Sequence, residues 1–313
     1  MKSKIVFATA ATLLALATGG AQAQGSTEIY GRLNLSAERQ DLDGTKNSGI
    51  FDNSSRIGFR GTEDLGGGLK AGFVLEHGFN ADTGSIAGGN WVGAFWGRES
   101  TLSLSGSFGT LRFGNMPASE AYFATADYVS MHNHDTGSSA DALYGFVSVG
   151  QLTSAIAYTS PTIEGLRFDV QYGLKEGNAR PDSPLSVAAV YDAGPLHLGF
   201  GYEGFDGNKS TAVRALYEMG AITVGGYVEK GSGDTRYTNF RLAGMYTMGV
   251  SEFHLNFGKR GDTNDVDGTD ADQFTLGYNY NLSKRSKLYG YYTKLSVGSA
   301  DFSSYAVGMR HNF

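Results

Sequence analysis

The sequence predicts an all-β chain closed into an antiparallel barrel that crosses a membrane, and three observations carry the prediction. Apolar and polar residues alternate with period two along most of the chain, so each strand would show one face to lipid and one to water. The alternating segments number sixteen, an even count, as a closed antiparallel sheet with both termini on one side requires. The last segment places Tyr305, Val307, Met309 and Phe313 on one face, opposite small or polar residues. A closing strand between lipid and lumen needs that pattern.

Taken in order, Lys2 and Lys4 precede an apolar stretch from Ile5 to Ala17, and Ala21-Gln22-Ala23 supplies small residues for cleavage. These are the parts of a secretory signal peptide, residues 1–23, which leaves 24–313 as one barrel domain. In the first strand Ile29, Leu33, Leu35 and Ala37 oppose Tyr30, Arg32, Asn34 and Ser36. Further segments fall near 54–62, 69–79, 94–105, 109–115, 152–160, 165–173, 185–192 and 195–203. The rest lie near 210–218, 221–230, 236–247, 250–260, 272–282, 286–296 and 303–313. Short turns at Asp64–Gly68, Gly106–Gly109, Ala193–Pro195, Met219–Gly220 and Met248–Val250 alternate with longer polar stretches at 38–53, 80–93, 174–184 and 261–271. One rim of tight turns and one of loops is the habit of outer-membrane barrels. A two-sheet sandwich would also alternate, but its outer faces would not repeat Tyr and Phe.

Composition narrows the function. The chain carries 25 Lys and Arg against 31 Asp and Glu, and losing Lys2 and Lys4 with the leader moves the net charge from −6 to −8. An acidic chain without a basic run is a poor nucleic-acid binder. The absence of cysteine excludes disulfide scaffolds and thiolate chemistry. Beyond the leader no apolar stretch approaches the twenty residues of a membrane helix. A mean hydropathy of −0.24 still suits a barrel, which spends only alternate residues on lipid. Gly66-Gly67-Gly68 sits in a turn, not ahead of a helix, so it is no phosphate cradle. His197 and His254 alternate onto the lumen side without any serine-nucleophile motif. No enzyme, cofactor or metal is expected. Asp262, Asp265, Asp267, Asp270 and Asp272 crowd one loop, read as a solvated acidic loop or a divalent-cation site. His132 and His134 read as ordinary loop residues, or as a metal or gating pair.

The run Ser55-Arg56-Ile57-Gly58-Phe59-Arg60-Gly61-Thr62-Glu63-Asp64-Leu65-Gly66-Gly67-Gly68-Leu69-Lys70-Ala71 resembles a hallmark of Gram-negative general porins of the betaproteobacterial and neisserial type. Similar stretches are Glu28–Arg32, Leu104–Gly114, Leu282–Ser286 and Val307–Phe313, in the family's order and across essentially the whole chain. The resemblance implies a sixteen-stranded homotrimeric barrel in the outer membrane, with the third external loop folded inward as a constriction. It also implies Phe313 as a C-terminal assembly signal read by the barrel-assembly machinery, and contact with outer-membrane lipid and lipopolysaccharide. The function it implies is passive diffusion of ions and small hydrophilic solutes; a substrate-selective channel and a structural or adhesive barrel are the alternatives.

The interval from Met116 to Gln151 lacks a convincing strand, and loops of that length are usually functional. Between Arg112 and Arg167 there is no Lys or Arg, while Glu120, Asp127, Asp135 and Asp141 lie there. In the family such a loop faces a basic wall, and the field between them sets ion preference. Arg56 matches a family eyelet arginine; Arg32, Arg60 and Arg112 share the lumen-facing parity of their strands. Arg98 matches a second family arginine, yet alternation puts Glu99 on the lumen side, and the sequence leaves the two open. On the acidic side the candidates are Asp127, Glu76 and Glu120. Asn115 stands where relatives often carry arginine, and Val147–Gln151 has none. With a charge of −8 the expectation is a weak preference for cations.

Overall fold

The computed structural model describes residues 25–86, 94–147, 152–175 and 181–313. The signal-peptide expectation for 1–23, and parts of the loops expected at 80–93, 116–151 and 174–184, lie outside the described residues. The strands are β1 (Ser26–Leu42), β2 in two pieces (Thr45–Asp52 and Arg56–Gly66), β3 (Leu69–Asn80), β4 (Glu99–Gly106) and β5 (Gly109–Asn115). There follow β6 (Ala155–Thr159), β7 (Leu166–Gly173), β8 (Leu185–Ala193), β9 (Leu196–Phe205), β10 (Asn208–Met219) and β11 (Ile222–Ser232). The set ends with β12 (Tyr237–Met248), β13 (Ser251–Arg260), β14 (Ala271–Asn281), β15 (Ser286–Val297) and β16 (Ala300–Asn312). The pair Ser85–Ile86 is a small flap on the end of β3.

Each strand pairs antiparallel with the next, and β16 pairs with β1 from Arg32↔Asn312 to Leu42↔Phe302, closing the sheet into a sixteen-stranded ring. The two pieces of β2 both pair with β1, below and above a break at residues 53–55. Side chains satisfy the backbone there: Asn34 N donates to Ser55 Oγ (3.1 Å) and Asn34 Nδ2 to the Asn53 carbonyl (3.1 Å).

The ring is inverted relative to a soluble protein. Val213, Leu242, Leu255, Leu276 and Val307 are 51–67% exposed on its outside, while Glu203, Glu229, Asn239, Arg241 and Gln273 are fully buried within. Alternation delivers both sets, since successive side chains of a strand take opposite faces. One expectation changes. The stretch 38–53 is not a long loop, because β1 runs on to Leu42, turns at Asp43-Gly44 and returns from Thr45. Past Ala37 the strand reads Glu38-Arg39-Gln40-Asp41, polar on both faces, so the apolar half of the rhythm disappears.

Candidate functional site: the lumen and its loop

The segment 116–147 lies against the inner wall. Ser119 caps a helical run, its Oγ accepting from Tyr122 N (3.1 Å). The run comprises Glu120–Tyr122, a wider π-helical stretch Phe123–Asp127, and Tyr128–Ser130. Glu120 N donates to Gln171 on β7 and Ala121 N to Ser186 on β8, both at 3.0 Å, while the Ser119 hydroxyl donates to Glu203 on β9. Glycines let the loop come close: a Cβ on Gly199 would sit 2.1 Å from the Ala124 carbonyl oxygen, and one on Gly277 2.3 Å from His134 Cβ.

The later half is fastened by buried charge. Arg241 on β12 meets Asp141 at 2.9 Å, with both side chains nearly inaccessible, and Tyr227 on β11 donates to the same carboxylate at 2.5 Å. Gly145 N donates to Glu229 (3.0 Å) and Val147 N to Glu203 (3.2 Å). Ser138 N donates to Tyr291 on β15 (3.0 Å), and its hydroxyl donates to Glu38 on β1. Buried pairs of this kind fix position because loss of either partner strands a charge away from water.

The loop covers the wall from β7 round to β15 and leaves a cavity of about 1010 Å³ beside β1, β2 and β14–β16. Arg32, Arg56, Arg98, Lys287 and Arg310 line it from the barrel, and Asp127 and Asp135 from the loop. Glu76 sits between two of the arginines, 2.5 Å from Arg98 and 3.7 Å from Arg56. Burial pushes the Asp127 carboxyl up to about 6, Asp135 adds to the rise, and Arg56 and Arg32 partly offset it. His134, packed against His254 and Tyr291 at ring separations of 5.9 and 5.0 Å, is held down at about 3 by burial, with His254, Lys287 and Arg310 contributing.

The residues singled out from sequence therefore fall in two groups. Arg32, Arg56, Arg98 and Asp127 share one cavity, with Glu76 behind them. Arg112 and Glu120 pair with each other away from that cavity, and Arg60 pairs with Glu28 in a separate groove, its guanidinium 4.8 Å from the Tyr30 ring centre. Both Arg98 and Glu99 have a lumen-side place: Glu99 lies opposite Glu76 in register, whereas Arg98 precedes the strand and escapes its alternation. Lys287 and Arg310 were not singled out. The signal was present, since Arg310 alternates with Met309 and Lys287 with Leu288. In the acidic loop, Asp265 meets Arg236 (3.2 Å) and Asp270 meets Lys259 (3.9 Å).

A closed barrel, greasy outside and polar inside, with a packed loop and an aqueous cavity beside it, defines a water-filled membrane channel of the outer-membrane class. Residues 10–312 match the family described as Gram-negative porin, and the chain belongs to that family. It is 31% identical to outer membrane porin protein 32 of Delftia acidovorans, over 88% of this chain and 85% of that protein. It is 27% identical to the major outer membrane protein P.IB of Neisseria meningitidis serogroup B, over 96% of this chain and 98% of that one. Among solved structures, the anion-selective porin from Comamonas acidovorans superposes with a TM-score of 0.76 at 27% identity, covering 93% of this chain and 100% of that one. The barrel belongs to the outer membrane of a Gram-negative cell and is a channel, not an enzyme; ions and small hydrophilic solutes cross it by passive diffusion.

Proposed function

We propose that the segment 116–147 is the constriction of this channel, and that passage through it favours small anions. One observation carries the reading: five cations line the cavity against two loop carboxylates, with Glu76 behind them. The charge balance of the whole chain predicted a weak cation preference. The local arrangement supports the reverse, because an ion at the narrowest point feels charges within about a Debye length and little of the distant external acids. The solved relative described as anion-selective supports the same direction.

Glu120 and Arg112 neutralise each other at the base of the loop in this reading, and Arg60 acts near one mouth. A homotrimer joined through β1–β3 and β16 is the functional unit, supported by small outward residues such as Ala37 and Gly49. Insertion through the barrel-assembly machinery with Phe313 as signal, export through residues 1–23 and lipopolysaccharide contact complete it. Purified protein in planar bilayers under a KCl gradient tests the proposal: chloride-dominated reversal potentials and conductance steps closing in threes are expected. A potassium-dominated potential overturns the anion preference, and single closures overturn the trimer.

A further inference from the structure

The loop side of the cavity is not uniformly polar. Tyr122, Phe123, Met131 and Phe146 line it opposite the basic wall, and Met131 and Phe146 remain 60% and 46% exposed. The rings form a group: Tyr122 lies 4.8 Å from Phe146 and 5.2 Å from Tyr144, which in turn lies 5.0 Å from Phe146 and 5.9 Å from Tyr227 on the wall.

Phe146 is held from both sides. Gly145 before it donates to Glu229 and its carbonyl accepts from Tyr237 (2.7 Å), while Val147 after it donates to Glu203. An apolar patch in water has no use for a fully hydrophilic solute, and a fixed one costs solvation continuously. A solute with an aromatic body and an anionic end would meet both sides of the same cavity at once.

Resting on the anion-preferring reading above, we propose that this cavity selects small aromatic carboxylates. The ring lies on Phe146, Tyr122 and Met131, and the carboxylate faces Arg56, Lys287 and Arg310. A ring that removes roughly 50 Å² of apolar surface from water gains about eightfold in occupancy over an aliphatic acid lacking it.

The test is block of single-channel KCl current by benzoate, acetate and benzylammonium, each titrated on the purified, refolded protein. Benzoate should block at a concentration about eightfold below acetate, and benzylammonium should be weaker than benzoate. In the Phe146→Ser/Met131→Ser variant, and to a smaller degree in Met131→Ser alone, the benzoate-to-acetate ratio should fall towards one. The ratio is internal to each variant, so changes in conductance do not confound it. Equal block by benzoate and acetate in the native protein overturns the inference, as does an unchanged ratio in both variants. Benzylammonium blocking as well as benzoate also overturns it. If KCl reversal potentials meanwhile favour chloride, only this inference fails; if they favour potassium, the reading beneath it has failed.

Discussion

Replacing Arg310 by glutamine removes one of five cations from the cavity, and its effect can be worked from the geometry. A cavity of 1010 Å³ taken as a sphere has a radius of about 6 Å, so a passing ion comes within about that distance of the charge. In water a unit charge at this range is worth about 0.7 kcal/mol, and a Debye length of about 10 Å at 0.1 M salt reduces it to about 0.4 kcal/mol. Anions lose that stabilisation and cations lose the matching repulsion, so the permeability ratio should move by about fourfold towards potassium. At 1 M salt the Debye length of about 3 Å should shrink the change to about 1.4-fold. Reversal potentials at the two salt levels measure both numbers. Arg236→Gln, on an external segment paired with Asp265, is the control. A ratio that stays within about 1.5-fold of wild type at low salt, or a change that survives undiminished at high salt, refutes the electrostatic reasoning.

Three further outcomes follow from the same geometry. The Asp127 carboxyl, raised to about 6, is charged above that pH and neutral below it. Anion preference should therefore rise as pH falls through about 6, and Asp127→Asn should flatten a titration of the reversal potential; an equal step in the variant assigns it elsewhere. Arg241→Met leaves Asp141 buried without its cation, a change worth about 3–5 kcal/mol. It should lower the urea midpoint of the barrel and make open-channel current noisier, with Arg241→Met/Asp141→Leu recovering most of the stability. Gly199→Ala puts a methyl 2.1 Å from the Ala124 carbonyl oxygen, so the loop helix must move inward by about 1 Å or more to restore contact distance. Single-channel conductance should drop, and an unaltered value would mean the helix has somewhere else to go.

The ring of strands was legible because lipid and water impose opposite demands on alternate residues, as Leu166, Phe168, Val170 and Tyr172 against Arg167, Asp169 and Gln171 display. Legibility failed where that opposition lapses. Residues 38–53 read as loop because Glu38-Arg39-Gln40-Asp41 and Thr45-Lys46-Asn47-Ser48 carry polar residues on both faces of the hairpin. Arg98 escaped assignment because it stands one residue ahead of its strand, outside the alternation that places Glu99. The parity of Arg56 was readable locally, but the neighbourhood of Arg310 and Lys287 was not. Those side chains reach Arg32 only through ring closure, between strands far apart in sequence. The fastening of the loop was equally hidden: nothing local to Asp141 announces Arg241, a hundred residues on. Phe146 and Met131 offered an apolar signal, yet sequence alone cannot tell a buried loop anchor from a side chain left in water.

The seam between β1 and β16 joins the first and last strands of the ring, and across it Arg32 Nε reaches Asn312 Oδ1, 280 residues away, at 3.1 Å. Gly31 and Phe313 exchange two backbone bonds at the same place. Once sealed, the cylinder has no privileged starting point. A circularly permuted version, cut at the Gly194 turn and spliced across the old gap, would retain every rung of the ladder. What it would alter is the order of events, because the costliest search, bringing remote edges together, would pass to a different pair of neighbours.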